Sequence, residues 1–343
     1  MNMNNEGLSG LYEQVIYETR MKILVDKEFY SIIKEYYTLS GDYINDSKNV
    51  NELYNLLNEE GFDPFAHGSQ DVESEEDENI CVLNISASNS KLEWPYLSLP
   101  AGYTCPMATV CKSFAAKPGN KFKDGTSIKA GPEREFMCYA ARQQAQYSKT
   151  AGKNAFSNLT LLSEAGKVGG IDGMAELIIN SIQYHGFHTS KVFRIHEGGD
   201  FFSSDYLKAW IQVAKHFSNI KFYTHTTSLN FWLSNKSSIP RNMNLIASVD
   251  KNNEDMIMKN KLRYARVVYS VEEAAKLGLS IDFDDSIAAF KDESFALLLH
   301  GQQPAGSDAS KAVGKTTKDG TFKKMKGLHK ANKTNRTKML NQR

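Results

Sequence analysis

The chain has 343 residues, 41% of them hydrophobic and 24% charged, with a net charge of +1. It is long enough for one large α/β domain or two ordinary ones, and the hydrophobic share supplies a sizeable core. The balance of charge excludes a molecule that is basic throughout, and four cysteines in such a length exclude a small disulfide-stapled scaffold.

No basic start followed by an apolar run opens the chain, and no stretch of about 18 apolar residues occurs in it. These features predict a cytoplasmic protein with no membrane contact, whose thiols stay reduced and free to act as metal ligands or nucleophiles.

Residues 10–60 carry apolar side chains at helical spacing and predict two or three helices. The acidic run Asp71 to Glu78 reads as a solvated linker, so residues 1–78 form a helical extension to a core of residues 79–312. Ile80 to Ile85 and Leu97 to Pro100 read as strands, with Cys81 a small buried hydrophobe in the first. Residues 105–137 are rich in Gly, Lys and Pro and read as a loop, and residues 138–165 as a helix broken near Gly152.

A regular alternation follows. Strands are predicted at Lys191 to Ile195, Ile220 to Thr224, Asn244 to Ser248, Ala265 to Tyr269 and Phe295 to His300, with helices between them. Apolar strands alternating with helices give parallel βαβ units. The predicted fold class is therefore α/β: a complete or partial (β/α) barrel with parallel strands, an open doubly wound sheet being the competing arrangement. From Lys311 to Arg343 the chain holds eleven Lys and Arg and one acid, Asp319. Residues 313–343 read as a disordered basic tail, either a flexible arm touching nucleic-acid phosphates non-specifically or a solubilising segment.

In parallel α/β sheets ligands bind at the carboxyl ends of the strands. Those ends here read His196-Glu197-Gly198-Gly199-Asp200, His225-Thr226-Thr227-Ser228, Ser248-Val249-Asp250, Ser270 and His300-Gly301-Gln302-Gln303. Five polar ends in succession point to one shared pocket, with His196, Asp200, His225 and His300 as candidate catalytic residues. The paired glycines suit close approach of backbone to a ligand. Asp200 could bind an amine or cap the following helix, a role that Ser203 or Ser204 could fill equally well, and His196 could be base, ligand or core histidine.

Cys105 and Cys111 are separated by five residues, and Cys111 and Cys138 by twenty-six. Three thiolates suit an open iron–sulfur site, or a zinc site completed by histidine or water.

The segments SLPAGYTCP at 98–106, MCYAARQQAQY at 137–147, RIHEGGDFFSSDYLKAW at 194–210 and ALLLHGQQPAGSDASKA at 296–312 resemble the phage proteins named gene product 88. The resemblance implies a phage or prophage protein in the bacterial host cytoplasm, and it implies no activity. In that family the glycine loop more often reads His-x-Ser-Gly-Asp, and Gly198 stands in the place of the serine.

More distantly the pattern is similar to radical S-adenosylmethionine enzymes, partial barrels with three cysteines after the first strand and a Gly-Gly-Glu loop after the second. Their usual cysteine spacing is three residues and then two. This likeness implies a [4Fe–4S] cluster on Cys105, Cys111 and Cys138. It implies S-adenosylmethionine held by Gly198, Gly199, Asp200 and Ser248, with His196, His225, Ser248 and His300 facing an unknown substrate. The alternative is a zinc-stabilised, nucleic-acid-binding accessory protein.

Overall fold

The computed structural model describes residues 81–89 and 92–321. The predicted N-terminal helices, the acidic linker and the greater part of the basic tail lie outside the described residues. The described residues fall in a single compact unit that begins at Cys81.

Among the described residues, ten strands make two sheets. They are β1 (Ile85–Ser86), β2 (Tyr96–Ser98), β3 (Ser113–Ala115), β4 (Ile128–Ala130), β5 (Val192–Gly198), β6 (Lys221–Thr226), β7 (Met243–Val249), β8 (Tyr264–Val268), β9 (Ser280–Ile281) and β10 (Phe295–Leu298). The main sheet has the order β1-β2-β5-β6-β7-β8-β10-β9, and β3 pairs with β4 alone. Every pairing in the main sheet is parallel except β1 with β2.

The order rises without reversal from β2 to β8, which a doubly wound sheet would not do. Nor is the sheet a closed barrel, because it ends at β1 and β9, each only two residues long. Such short edge strands offer no ladder along which the two edges could join. The expectation of a complete barrel is thus corrected to an open, mostly parallel eight-stranded sheet.

The central strands are buried on both faces, and β5 is buried at all seven positions, as a strand covered on two sides requires. One face carries Phe193, Phe222, Leu245 and Ala247. Against it pack α2 (Lys153–Tyr184), α3 (Ser204–His216) and α4 (Leu229–Asn235). The other face carries Val192, Tyr223, Ile246, Ala265 and Phe295 against Trp94 and the short α7 (Ser286–Phe290).

Helix α3 shows why these residues fold so. Ser203 accepts the Tyr206 N–H as its N-cap, Asp205 sits in the first turn, and Lys215 and His216 in the last. Its inner face buries Tyr206, Leu207, Trp210, Ile211 and Ala214. Helix α1 (Tyr139–Gln146) leads through a π-turn at Ser148–Gly152 into α2, which kinks at Gly170, where φ is 59°. The remaining α-helices among the described residues are α5 (Glu254–Lys259), α6 (Val271–Lys276) and α8 (Asp308–Lys318).

Three expectations change. Cys81 is exposed, because regular strand geometry begins only at Ile85. The stretch 105–137 is not all loop, since it contains the β3–β4 ribbon. The basic tail starts later than residue 313, because α8 runs to Lys318 and buries Ala309 and Thr316.

Candidate functional site

The carboxyl ends of the strands carry the site. After β2, Leu99 N–H donates to Gly198 O at 2.8 Å, and Pro100 O accepts the Thr104 N–H at 3.1 Å. Gly102 turns the chain with φ +81°, and a Cβ there would stand 2.5 Å from Ser113 O. The turn carrying Cys105 is thus pressed onto the segment that leaves Cys111. Ser113 Oγ in turn donates to Cys111 O (3.1 Å) and accepts the Cys138 N–H (3.3 Å). One hydroxyl ties the second cysteine to the third.

The three thiols are free and half-buried, and they converge far enough to disturb one another. Burial pushes all three up from the usual thiol range. Cys105 is raised further by the charges of Asp200 and Cys138, and Cys111 by those of Cys138 and Cys105. Cys138 is the N-cap of α1, whose Ala140 and Ala141 N–H groups favour its thiolate and partly oppose burial.

The glycine pair abuts this cluster. Gly199 has φ +86°, and a Cβ on it would meet Thr104 Oγ1 at 2.6 Å and Leu99 Cβ at 2.7 Å. A Cβ on Gly198 would meet Ala140 Cβ at 2.9 Å. Only glycine lets the turn lie between the Cys105 loop and the start of α1.

Asp200 is buried and its carboxylate is full. Oδ1 accepts from Phe201 N (2.7 Å) and Thr226 Oγ1 (2.6 Å), and Oδ2 from Thr227 N (2.7 Å) and Thr227 Oγ1 (2.8 Å). Burial raises its carboxyl even though these donors favour the charged form. The aspartate clamps the glycine turn to the end of β6, and Ser203, not Asp200, caps α3.

His196 lies in the core. Its ring stands 4.9 Å from Phe201 and 5.6 Å from Tyr206, with Nε2 3.2 Å from the Tyr206 hydroxyl. Burial, aided by the Arg194 charge, lowers it to about 3, so it stays neutral at physiological pH. The sequence allowed base, ligand or core histidine, and the structure places it as the last.

His225 and Ser248 are half-buried on the sheet face away from α3, and His225 meets Phe295 edge-on at 5.8 Å. His300 is exposed in the loop after β10.

The other loops close the ring. Thr109 donates to Asp250 at 2.8 Å, joining the cysteine loop to the end of β7. Met137 N donates to Gln303 at 2.7 Å, joining the Cys138 segment to the loop after β10.

Several site residues escaped the sequence reading. Gln144 is buried and bridges Ala101 N (2.9 Å) and Leu99 O (2.8 Å), fixing α1 to the Cys105 turn. Beneath the cluster, Arg194 pairs with Asp285 at 2.6 Å, and Asp285 also accepts from Tyr223 at 2.9 Å. Arg194 donates to the Tyr139 hydroxyl at 2.8 Å, and that hydroxyl donates to Glu197 O. Burial works against the Arg194 charge, but the Asp285 carboxylate holds the guanidinium charged. A polar residue on the buried side of α1 was a usable signal for Gln144. No local pattern joins Arg194 to Asp285.

The family profile of Gene product 88 matches residues 69–317, which includes the whole strand-end cluster. The chain belongs to this family. A stretch of 166 residues is 28% identical to the "Gene 88 protein" of Mycobacterium phage D29, covering 47% of this chain and 58% of that relative. The match thus spans little more than half the length of the phage protein. No solved structure matches the chain.

Among the described residues, this Gene product 88 member has no group of three or more His, Cys, Asp or Glu side chains set to hold a single metal ion. No described helix is long and apolar enough to cross a membrane.

Proposed function

We propose that this chain holds a [4Fe–4S] cluster on Cys105, Cys111 and Cys138 and uses it with S-adenosylmethionine on a substrate at the strand ends. The observation that carries the reading is that three free thiols stand on adjoining segments, joined through Ser113 and Gly102 beside the Gly198-Gly199 turn. Bare, they are held protonated by burial and mutual repulsion, and a cationic partner reverses that, because coordinated thiols give up their protons. Three thiolates also suit one zinc ion completed by histidine or water. The succession β2, β5, β6, β7, β8, β10 is also the strand succession of a partial (β/α) barrel.

When bound, the cluster would supply the electron that cleaves the sulfonium. The chain's own residues would do the rest. Gly199, with positive φ, lets the turn press against Leu99 and Thr104 beside Cys105. Asp200 holds that turn in place through Thr226 and Thr227 instead of giving an oxygen to the ligand. His225 and Ser248 face the substrate side, and the neutral His196 supports β5 from behind.

The test is anaerobic purification followed by iron, sulfide and zinc analysis and a visible spectrum. Wild type is compared with Cys105→Ala, Cys111→Ala and Cys138→Ala. We expect a brown protein whose iron and labile sulfide are lost in each variant. A colourless protein with stoichiometric zinc would shift the assignment to the structural-zinc alternative. A metal-free protein with unaltered variants would remove the cysteine argument altogether.

A second reading, contact with nucleic acid, is favoured by the basic segment from Lys311 to Arg343, with eleven cations against one acid.

A further inference from the structure

The twenty-six residues between Cys111 and Cys138 are not a passive spacer. They build the two-stranded ribbon of β3 and β4, with register Ser113 to Ala130 and Ala115 to Ile128. Its base is closed by Gly131 N–H donating to Lys112 O at 2.9 Å, directly beside Cys111.

The ribbon is a rigid frame. Tyr103 stacks edge-on against Phe114 at 5.1 Å and donates its hydroxyl to Ala115 O at 3.2 Å. Toward the tip, Phe122 is buried, and its N–H donates to Thr126 O at 2.9 Å. The left-handed turns at Gly119 and Gly125 have nothing within 4 Å of their Cβ positions, so the tip stands in the open.

This frame is strongly basic. From Lys112 to Lys129 it holds five lysines and one acid, Asp124, in a chain whose net charge is +1. Lys121 and Lys123 are exposed, and Lys117 and Lys129 half-exposed. Past the ribbon's base, Glu133 and Glu135 face Lys251 at 3.8 and 3.1 Å.

We propose that the β3–β4 ribbon docks the phosphate backbone of a nucleic-acid strand. It would lead that strand past the ends that carry the cysteines, which makes nucleic acid the substrate class. A cluster of cations on one ribbon suits a regular polyanion, and releasing condensed counterions drives such binding without reading sequence. A two-stranded ribbon is also a shape that nucleic-acid grooves accept. The docking stands on the ribbon alone, and the substrate assignment rests on the iron–sulfur reading.

The test compares the full chain with its K117Q/K121Q/K123Q/K129Q variant. Binding to a single-stranded DNA oligonucleotide, a duplex of the same sequence and an RNA is followed across a salt titration. Each lysine–phosphate pairing removed flattens the logarithmic salt slope by about 0.7 to 0.9. We expect a slope flatter by about 3 and an affinity lower by roughly 10- to 100-fold for at least one of the three nucleic acids. The melting temperature and metal content should be unchanged. Photo-crosslinking of a 4-thiothymidine oligonucleotide to wild type should label peptides within residues 112–134.

An unchanged affinity and slope, or crosslinks confined to residues beyond 321, would overturn the proposal. The two readings fail separately. A metal-free chain whose binding still falls in the variant loses the cluster and keeps the ribbon. An iron-bearing chain whose binding is unmoved does the reverse.

Discussion

Thr227 gives Asp200 two hydrogen bonds at once, its backbone N–H at 2.7 Å and its hydroxyl at 2.8 Å, both to Oδ2. The carboxylate therefore acts as a rivet between the glycine turn after β5 and the loop after β6. Asp200→Ala strands four buried donors, and we expect a loss of about 3–4 kcal/mol in urea unfolding. A loss under about 1 kcal/mol would show that the turn holds without the rivet.

Arg194 and Asp285 form a buried ion pair at 2.6 Å, their side chains 8% and 2% exposed. Removing either partner leaves a buried charge uncompensated. We expect Asp285→Leu and Arg194→Met each to cost about 3–5 kcal/mol, and the double variant clearly less than their sum. Additive losses in the double-mutant cycle would mean the pair is not coupled.

The pH dependence of stability follows from His196, lowered to about 3 by burial and by Arg194. In the unfolded chain its value is about 6.5. Above that, both states are neutral and the histidine contributes nothing to the slope. As pH falls below it, the unfolded chain takes a proton that the native state refuses, so stability drops until pH nears the folded value. This residue should contribute about 1.4 kcal/mol per pH unit in that window. In His196→Gln that contribution disappears, and the stability gap between the two proteins narrows on acidification from pH 7 to 4. Parallel curves would contradict the buried, neutral assignment.

Gly199 and Gly186 both have positive φ, at +86° and +73°, but only Gly199 is crowded. Alanine at Gly186 should cost the backbone term alone, about 1–2 kcal/mol. Alanine at Gly199 adds the clash with Thr104 and Leu99, and we expect roughly 1–3 kcal/mol more. Equal losses at the two sites would remove the argument for close approach.

Because α8 runs to Lys318, the basic arm is removed cleanly only by ending the chain after residue 321. If the arm contacts phosphates, this truncation lowers nucleic-acid affinity and flattens the salt slope while the fold melts normally. An unchanged slope would leave the segment with a solubilising role.

The alternation of apolar strands and helices from Lys191 onward was legible because period-2 and period-3.6 patterns are local. The strand ends, and with them the candidate loops at Gly198-Gly199-Asp200 and His225, followed from the same alternation. Ser203 was open as a cap for α3 for the same reason: a cap needs only its own neighbours. The ribbon at β3 and β4 was not legible, because its strands are three residues long and sit among Gly, Pro and Lys.

Sequence by itself determined the α/β class, the parallel pairing and the presence of three cysteines at the front of the core, all of which depend on residue type and spacing along the chain. Tertiary structure alone decided that the sheet stays open, because closure depends on how the edge strands β1 and β9 end. It decided that the segments bearing Cys105, Cys111 and Cys138 adjoin, because Ser113 hydrogen-bonds to both Cys111 and Cys138 and Gly102 packs on Ser113. It also turned His196 and Asp200 from candidate chemistry into support. Whether a buried polar side chain is spent or available depends on the donors and rings around it, and here those come from Thr226, Thr227, Tyr206 and Phe201 across the fold.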